Sequence, residues 1–187
     1  SRAQPDPSGL GRLSQIRSTG TAMKTFLAIL LTTVLGAGSA AALDQPKGPV
    51  ILTIVGAVSE PNRDGTAVFD LAMLESLKGR SASMETPWTK GKAEYSGPLL
   101  REVRKAAGAD GRRLLVRALN GYAAEVPFSD ASSFDTILAT RLDGQVMSVR
   151  TKGPTMLVYP FDLDPSLYNE KYFARSVWQI KEIEVIR

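Results

Sequence analysis

The apolar positions of this chain fall mostly into short β-like runs and alternations, and only two stretches space them as a helix does. Val50 to Val58 is rich in β-branched residues and lacks a helical stripe, which predicts a strand. A turn over Pro61-Asn62-Arg63-Asp64-Gly65 separates it from a second short strand, Thr66 to Phe69. Asp70 is placed to cap a helix over Leu71–Leu77, with Leu71, Leu74 and Leu77 on one face and Gly79 at its end. The second helix is expected over Pro98–Ala107, with the proline in its first turn and Gly108 as its stop. Between the helices, Ser81 to Ser96 reads as irregular and polar. Arg113–Leu119 and Tyr122–Phe128 should pair around Asn120-Gly121, a two-residue hairpin signal, and Thr136–Leu142 should pair with Val146–Arg150 around Asp143-Gly144. Ser129–Phe134 reads as a helical turn, Thr155–Tyr159 as a strand, and Val177–Ile186 as a final strand whose alternation places Trp178 in the core. Two helices among so many short strands predict a β-rich α+β single domain with a few short helices.

The first ~42 residues stand apart from this pattern. Met23-Lys24 precedes an apolar run, Phe26 to Leu31, which continues to Val34-Leu35 before small residues lead to Ala40-Ala41-Ala42. A charged start, a short apolar stretch and an A-x-A exit describe a secretory signal peptide over residues 23–42. The run falls short of the ~20 apolar residues of a membrane span, a buried or membrane-anchoring helix being the alternative. Residues 1–22, rich in Pro, Gly, Ser and Arg, read as an upstream extension. Residues 43–187 then form one exported domain, large enough for its own core, with no direct membrane insertion after cleavage.

Charge and composition narrow the chemistry. The chain carries 23 basic and 19 acidic residues, net +4, but Arg2, Arg12, Arg17 and Lys24 against Asp6 account for most of that excess before residue 43. The remainder is close to balance, which removes the main support for a nucleic-acid partner. The chain contains no cysteine and no histidine. It therefore has no thiolate nucleophile, no disulfide, no sulfur ligand for a soft metal and no imidazole for proton transfer. Recognition is favoured over catalysis. An exported chain without disulfides suits a Gram-negative periplasm.

Three segments carry aromatic and polar residues without a core periodicity. Trp88 sits in the polar loop Thr86-Pro87-Trp88-Thr89-Lys90-Gly91, where it either walls a pocket or folds over the core edge. Asn120 and Tyr122 flank the Gly121 turn, which is either a hairpin alone or part of a site. Arg150-Thr151-Lys152-Gly153-Pro154 with Tyr159-Pro160 brings two cations to a Gly-Pro turn, suited to an anion or a carbonyl-rich ring, or else a solvated basic turn.

Taken in order, these segments resemble the oxidoreductase molybdopterin-binding domain, the sulfite-oxidase-type fold. The matching pieces are Thr53 to Val58, Phe69 to Leu74, Tyr95-Ser96-Gly97-Pro98-Leu99-Leu100, Asn120-Gly121-Tyr122, Leu142-Asp143-Gly144, Lys152-Gly153-Pro154 with Tyr159-Pro160, and Ser176 to Lys181. The family's enzymes ligate molybdenum with a cysteine about ten residues before the aromatic-x-Gly-Pro-Leu stretch; here that slot holds Glu85 or Thr86, and the family's cofactor-contacting histidine has no equivalent. The resemblance implies a pterin pocket without its metal. A pterin is a flat bicycle with a 2-amino-4-oxo edge, needing a face to stack on and in-plane donors and acceptors. Trp88 or Tyr122 would supply the face, Asn120 would pair with the amide-like edge, and Arg150 or Lys152, held by Gly153, would meet the 4-oxo group or a side-chain anion, with Tyr159 closing one wall. The chain is similar to a small periplasmic subgroup that lacks the metal-binding Cys. That resemblance implies binding of a reduced, monapterin-like pterin and regulation of an inner-membrane diguanylate cyclase/phosphodiesterase, hence of cyclic di-GMP signalling. Two alternatives stand beside it. One is a molybdopterin-dependent oxidoreductase with an oxygen ligand such as Glu85. The other is a protein-binding module with a degenerate pocket, using Arg101, Glu102, Arg104 and Lys105 on an exposed helix face.

Overall fold

Val50–Gly56 (β1) turns Leu52 and Ile54 inward at the two-residue period of a half-buried strand. In the computed structural model, which describes residues 42–187, β1 is flanked by Ala67–Asp70 (β2), antiparallel, and by the C-terminal strand Ile180–Ile186, parallel. The signal peptide and extension expected over residues 1–42 lie outside the described residues, Ala42 excepted. A hairpin of Arg113–Ala118 and Ala123–Pro127 completes the first sheet on the other side of the C-terminal strand. The expected two-residue turn is longer: Ala118 N–H donates to Tyr122 O at 2.8 Å, so Leu119, Asn120 and Gly121 form the loop, with Gly121 at φ 86°.

Asp70 caps Leu71–Ser76 (α1), as its position implied. Its carboxylate accepts Met73 N–H at 2.8 Å and reaches back to Lys47 and Gly48 N–H at 2.7 and 2.8 Å. These backbone donors, Met73 first, hold its pKa below the ordinary carboxylate value. Gly79 does not end this helix. It opens a strand, Gly79–Glu85 (β3), paired along its full length with Lys92–Pro98 (β4). This hairpin replaces the irregular segment expected over 81–96. Its inward residues Ala82, Met84, Ala93 and Tyr95 alternate with Ser, Glu and Lys, and two of them are too small to mark a strand by hydrophobicity. Pro98 thus ends a strand, and the second helix, α2, runs from Leu100 to Ala106, with Gly108 at φ 58° beyond it.

Two further strands, Ile137–Ala139 and Met156–Val158, pair antiparallel and are buried throughout. They are a septum. Leu138 and Leu157 face a core with Leu52, Phe69, Val103, Val116 and Ile183; Ile137, Ala139, Met156 and Val158 face a second core with Met84, Tyr95 and Phe161. Burial on both faces is why these segments are continuously apolar. The hairpin expected from Thr136 to Arg150 is therefore divided. Asp143 and Gly144 do turn with positive φ, but they join only Arg141–Leu142 to Gln145–Val146, and Arg150 lies on a 3-10 turn, Val149–Thr151. Phe128–Ser133 (α3) is the expected helical turn, and Glu170–Arg175 (α4) is a helix that the hydrophobic spacing did not announce.

The exposed helix face proposed for a protein partner is partly committed to the fold. Arg101 bonds Asp135 at 2.5 Å, and the Arg104 guanidinium lies 4.1 Å from the centre of the Phe128 ring. We predict that Leu157→Ala, which opens a void in the septum, lowers unfolding free energy by about 2–5 kcal/mol. Leu163→Ala, at a side chain 59% exposed, should change it by under about 0.5 kcal/mol. Urea denaturation of both variants checks the contrast.

Candidate functional site

Four pieces of chain meet around a cavity of about 360 Å³. The loop between β3 and β4 brings Trp88; the Arg113–Pro127 hairpin brings Ala118, Asn120 and Tyr122; α4 brings Glu170, Phe173 and Ala174. The fourth is Ser176–Trp178, which leads into the last strand. Trp88 meets Phe173 and Trp178 edge to face, with ring centres 6.0 and 5.6 Å apart. The lining is thus chiefly aromatic, with few polar groups.

Of the residues the sequence singled out, Trp88, Asn120 and Tyr122 line this cavity together. Asn120 Oδ1 accepts Tyr122 N–H at 3.0 Å, and the Tyr122 hydroxyl donates to Ala174 O at 2.9 Å, joining the hairpin to the end of α4. Lys152 stands behind a wall: its Nζ lies 4.8 Å from the centre of the Trp178 ring, and its carbonyl accepts Gln179 N–H at 2.9 Å. Arg150 is exposed on its turn and does not line the cavity. Gly153 is buried, and a methyl group there would strike the Met147 carbonyl, so its place is in the tight turn that carries Lys152 rather than on the ligand.

Tyr159 corrects an expectation. It closes no wall of the cavity but is wholly buried, and its hydroxyl donates to Asp130 Oδ2 at 2.8 Å. Burial, then the Asp130 charge, push its pKa above the ordinary value of 10. Arg175, the last residue of α4, donates to the same oxygen at 2.8 Å. Trp178 is a second correction. The last strand begins two residues later, after Gln179 at φ 53°, so Trp178 leaves the alternation and becomes a half-buried wall. Sequence reasoning missed α4 and with it Glu170 and Phe173. The available signal was Asn169, whose side chain accepts Lys171 N–H at 3.0 Å as a helix cap.

The sequence profile of the oxidoreductase molybdopterin binding domain matches residues 70–187. The chain belongs to this family. No curated protein matches it. The matched region holds every residue of the cavity, so the molybdopterin-binding domain supplies the aromatic walls, the hairpin and α4 alike.

Molybdenum and pterin fare differently against these side chains. The chain has no thiolate, and where the family's metal anchor falls, the Thr86 hydroxyl is engaged with Tyr95 Oη and Thr89 Oγ1, each at 3.0 Å. Glu85 ends β3 opposite Lys92 and does not line the cavity. Among the described residues no three His, Cys, Asp or Glu side chains gather as a metal site. This donor set does not fit molybdenum, a metal that prefers soft sulfur here. The cavity does fit a pterin: its volume lies within the roughly 300–1,000 Å³ of small-molecule sites, with apolar walls and a few polar groups.

Because the raised pKa of Tyr159 favours the protonated native state, its contribution to stability is complete below about pH 10 and is lost as pH rises beyond. We predict that urea midpoints fall more steeply above about pH 10 in the unmodified protein than in Tyr159→Phe.

Proposed function

We propose that this protein is a periplasmic pterin-binding protein that acts by recognition rather than by catalysis. A reduced, monapterin-like pterin is its ligand. The observation that carries this reading is the cavity framed by Trp88, Phe173 and Trp178 in a family domain whose chain has no thiolate to anchor a metal. Flat rings stack on indole and phenyl faces, and Asn120 offers an in-plane group to the ring's polar edge. Lys152, close behind Trp178, adds positive potential on that side for the electron-rich oxygen of the ring.

Export rests on the charged start, apolar run and A-x-A exit over residues 23–42. Regulation of an inner-membrane diguanylate cyclase/phosphodiesterase, through its periplasmic region, rests on the resemblance to the Cys-less subgroup alone. A redox reaction at molybdenum is disfavoured because its ligand chemistry is missing from the sequence.

Calorimetry of the purified protein with tetrahydropterin tests the binding function. We expect saturable one-to-one binding, weakened about ten- to hundredfold by Trp88→Ala, the scale of losing ~1–3 kcal/mol of aromatic stacking. No heat of binding with any tetrahydropterin would end this reading.

A further inference from the structure

Resting on the pterin reading, we propose that Glu170 is the specificity-determining residue of the cavity. Its carboxylate accepts the paired donors, ring N–H and exocyclic amino group, of an aminopyrimidinone edge, and so selects a pterin without a phosphate group.

Glu170 is the only side chain carrying a full charge among the described residues that line the cavity. Most carboxylates near α4 and the adjoining cores are spoken for: Asp130 by Tyr159 and Arg175, Asp135 by Arg101, Glu75 by Arg141, Asp162 by Arg80. The cations on its own helix are turned elsewhere. Lys171 Nζ lies 5.1 Å from the centre of the Tyr172 ring, and Arg175 is bonded to Asp130. A carboxylate beside three aromatic walls is a poor companion for an anion and a good one for a planar pair of N–H donors, which its two oxygens accept in parallel.

Asn120 completes the pattern. Its Oδ1 is taken by Tyr122 N–H, which leaves its NH₂ group to offer a ligand. One donor from the hairpin and one double acceptor from α4 match a ring edge with a carbonyl beside N–H and amino donors. A lumazine, in which the amino group is replaced by a carbonyl, would set oxygen against the Glu170 carboxylate. A phosphorylated side chain would bring a second anion beside the same carboxylate, and like charges there repel.

The test is calorimetry of the full protein and of Glu170→Gln with tetrahydropterin and with tetrahydrolumazine, with thermal melts to compare folding. The unmodified protein should prefer the pterin by about tenfold or more, and Glu170→Gln should bind the pterin about ten- to hundredfold more weakly and lose most of the preference, because its amide can donate to the lumazine oxygen. If Glu170→Gln keeps the affinity and the preference, or loses affinity for both rings equally, the specificity role is overturned while pterin binding stands. If the unmodified protein binds neither ring, the pterin reading itself falls, and this inference with it.

Discussion

One carboxylate oxygen, Asp130 Oδ2, receives both the Tyr159 hydroxyl and the Arg175 guanidinium. Through it, α3, the segment after the septum and the end of α4 are tied at a point that side-chain burial keeps largely from water. The geometry of the cavity depends on this contact because α4 is only six residues long. So short a helix has little stability of its own and keeps its place by tertiary contacts. Breaking such a buried pair by removing one partner leaves an uncompensated charge, a larger penalty than the pair's own net worth. Together with the Tyr122 bond to Ala174 O, this contact fixes the end of the helix whose Glu170 and Phe173 line the wall.

The two-sided septum gives the same economy to the rest of the domain. By burying alternate residues of Ile137–Ala139 and Met156–Val158 in different cores, it lets one pair of strands serve as the common wall of two cores. The first core carries the sheet whose hairpin presents Asn120 and Tyr122; the second carries the β3–β4 hairpin whose loop presents Trp88. Gly97 marks how close the layers come, since a methyl group there would run into the Leu138 carbonyl. Side chains from distant parts of the chain therefore converge on one cavity.

Much of this was legible in the sequence, and the failures have physical causes. Asp70 as a cap, Gly108 as a stop and both Gly-bearing turns were readable because each depends on local backbone chemistry. The β3–β4 hairpin was not, because Ala82 and Ala93 fill inward positions with almost no hydrophobic signal. Trp88, Asn120 and Tyr122 could be singled out because aromatic or amide groups in turns lack a core explanation. Tyr159 was misplaced because, at the end of a strand, it was grouped with the nearby Arg150–Pro154 turn, whereas the buried Asp130 that satisfies its hydroxyl lies 29 residues away. Trp178 followed the alternation of the last strand until Gln179 broke it. Glu170 and Phe173 belong to a helix too short for periodicity to reveal.

The central claim is that a molybdopterin-binding domain has kept the slot for the flat ring while its own residues offer no seat for the metal. Native mass spectrometry of the protein purified from its source cells under anaerobic conditions, with nothing added, addresses this most directly. The account predicts a single added mass equal to a phosphate-free reduced pterin, absent from Trp88→Ala, and no molybdenum. A stoichiometric molybdenum–pterin complex, or a species carrying no small molecule at all, would contradict it.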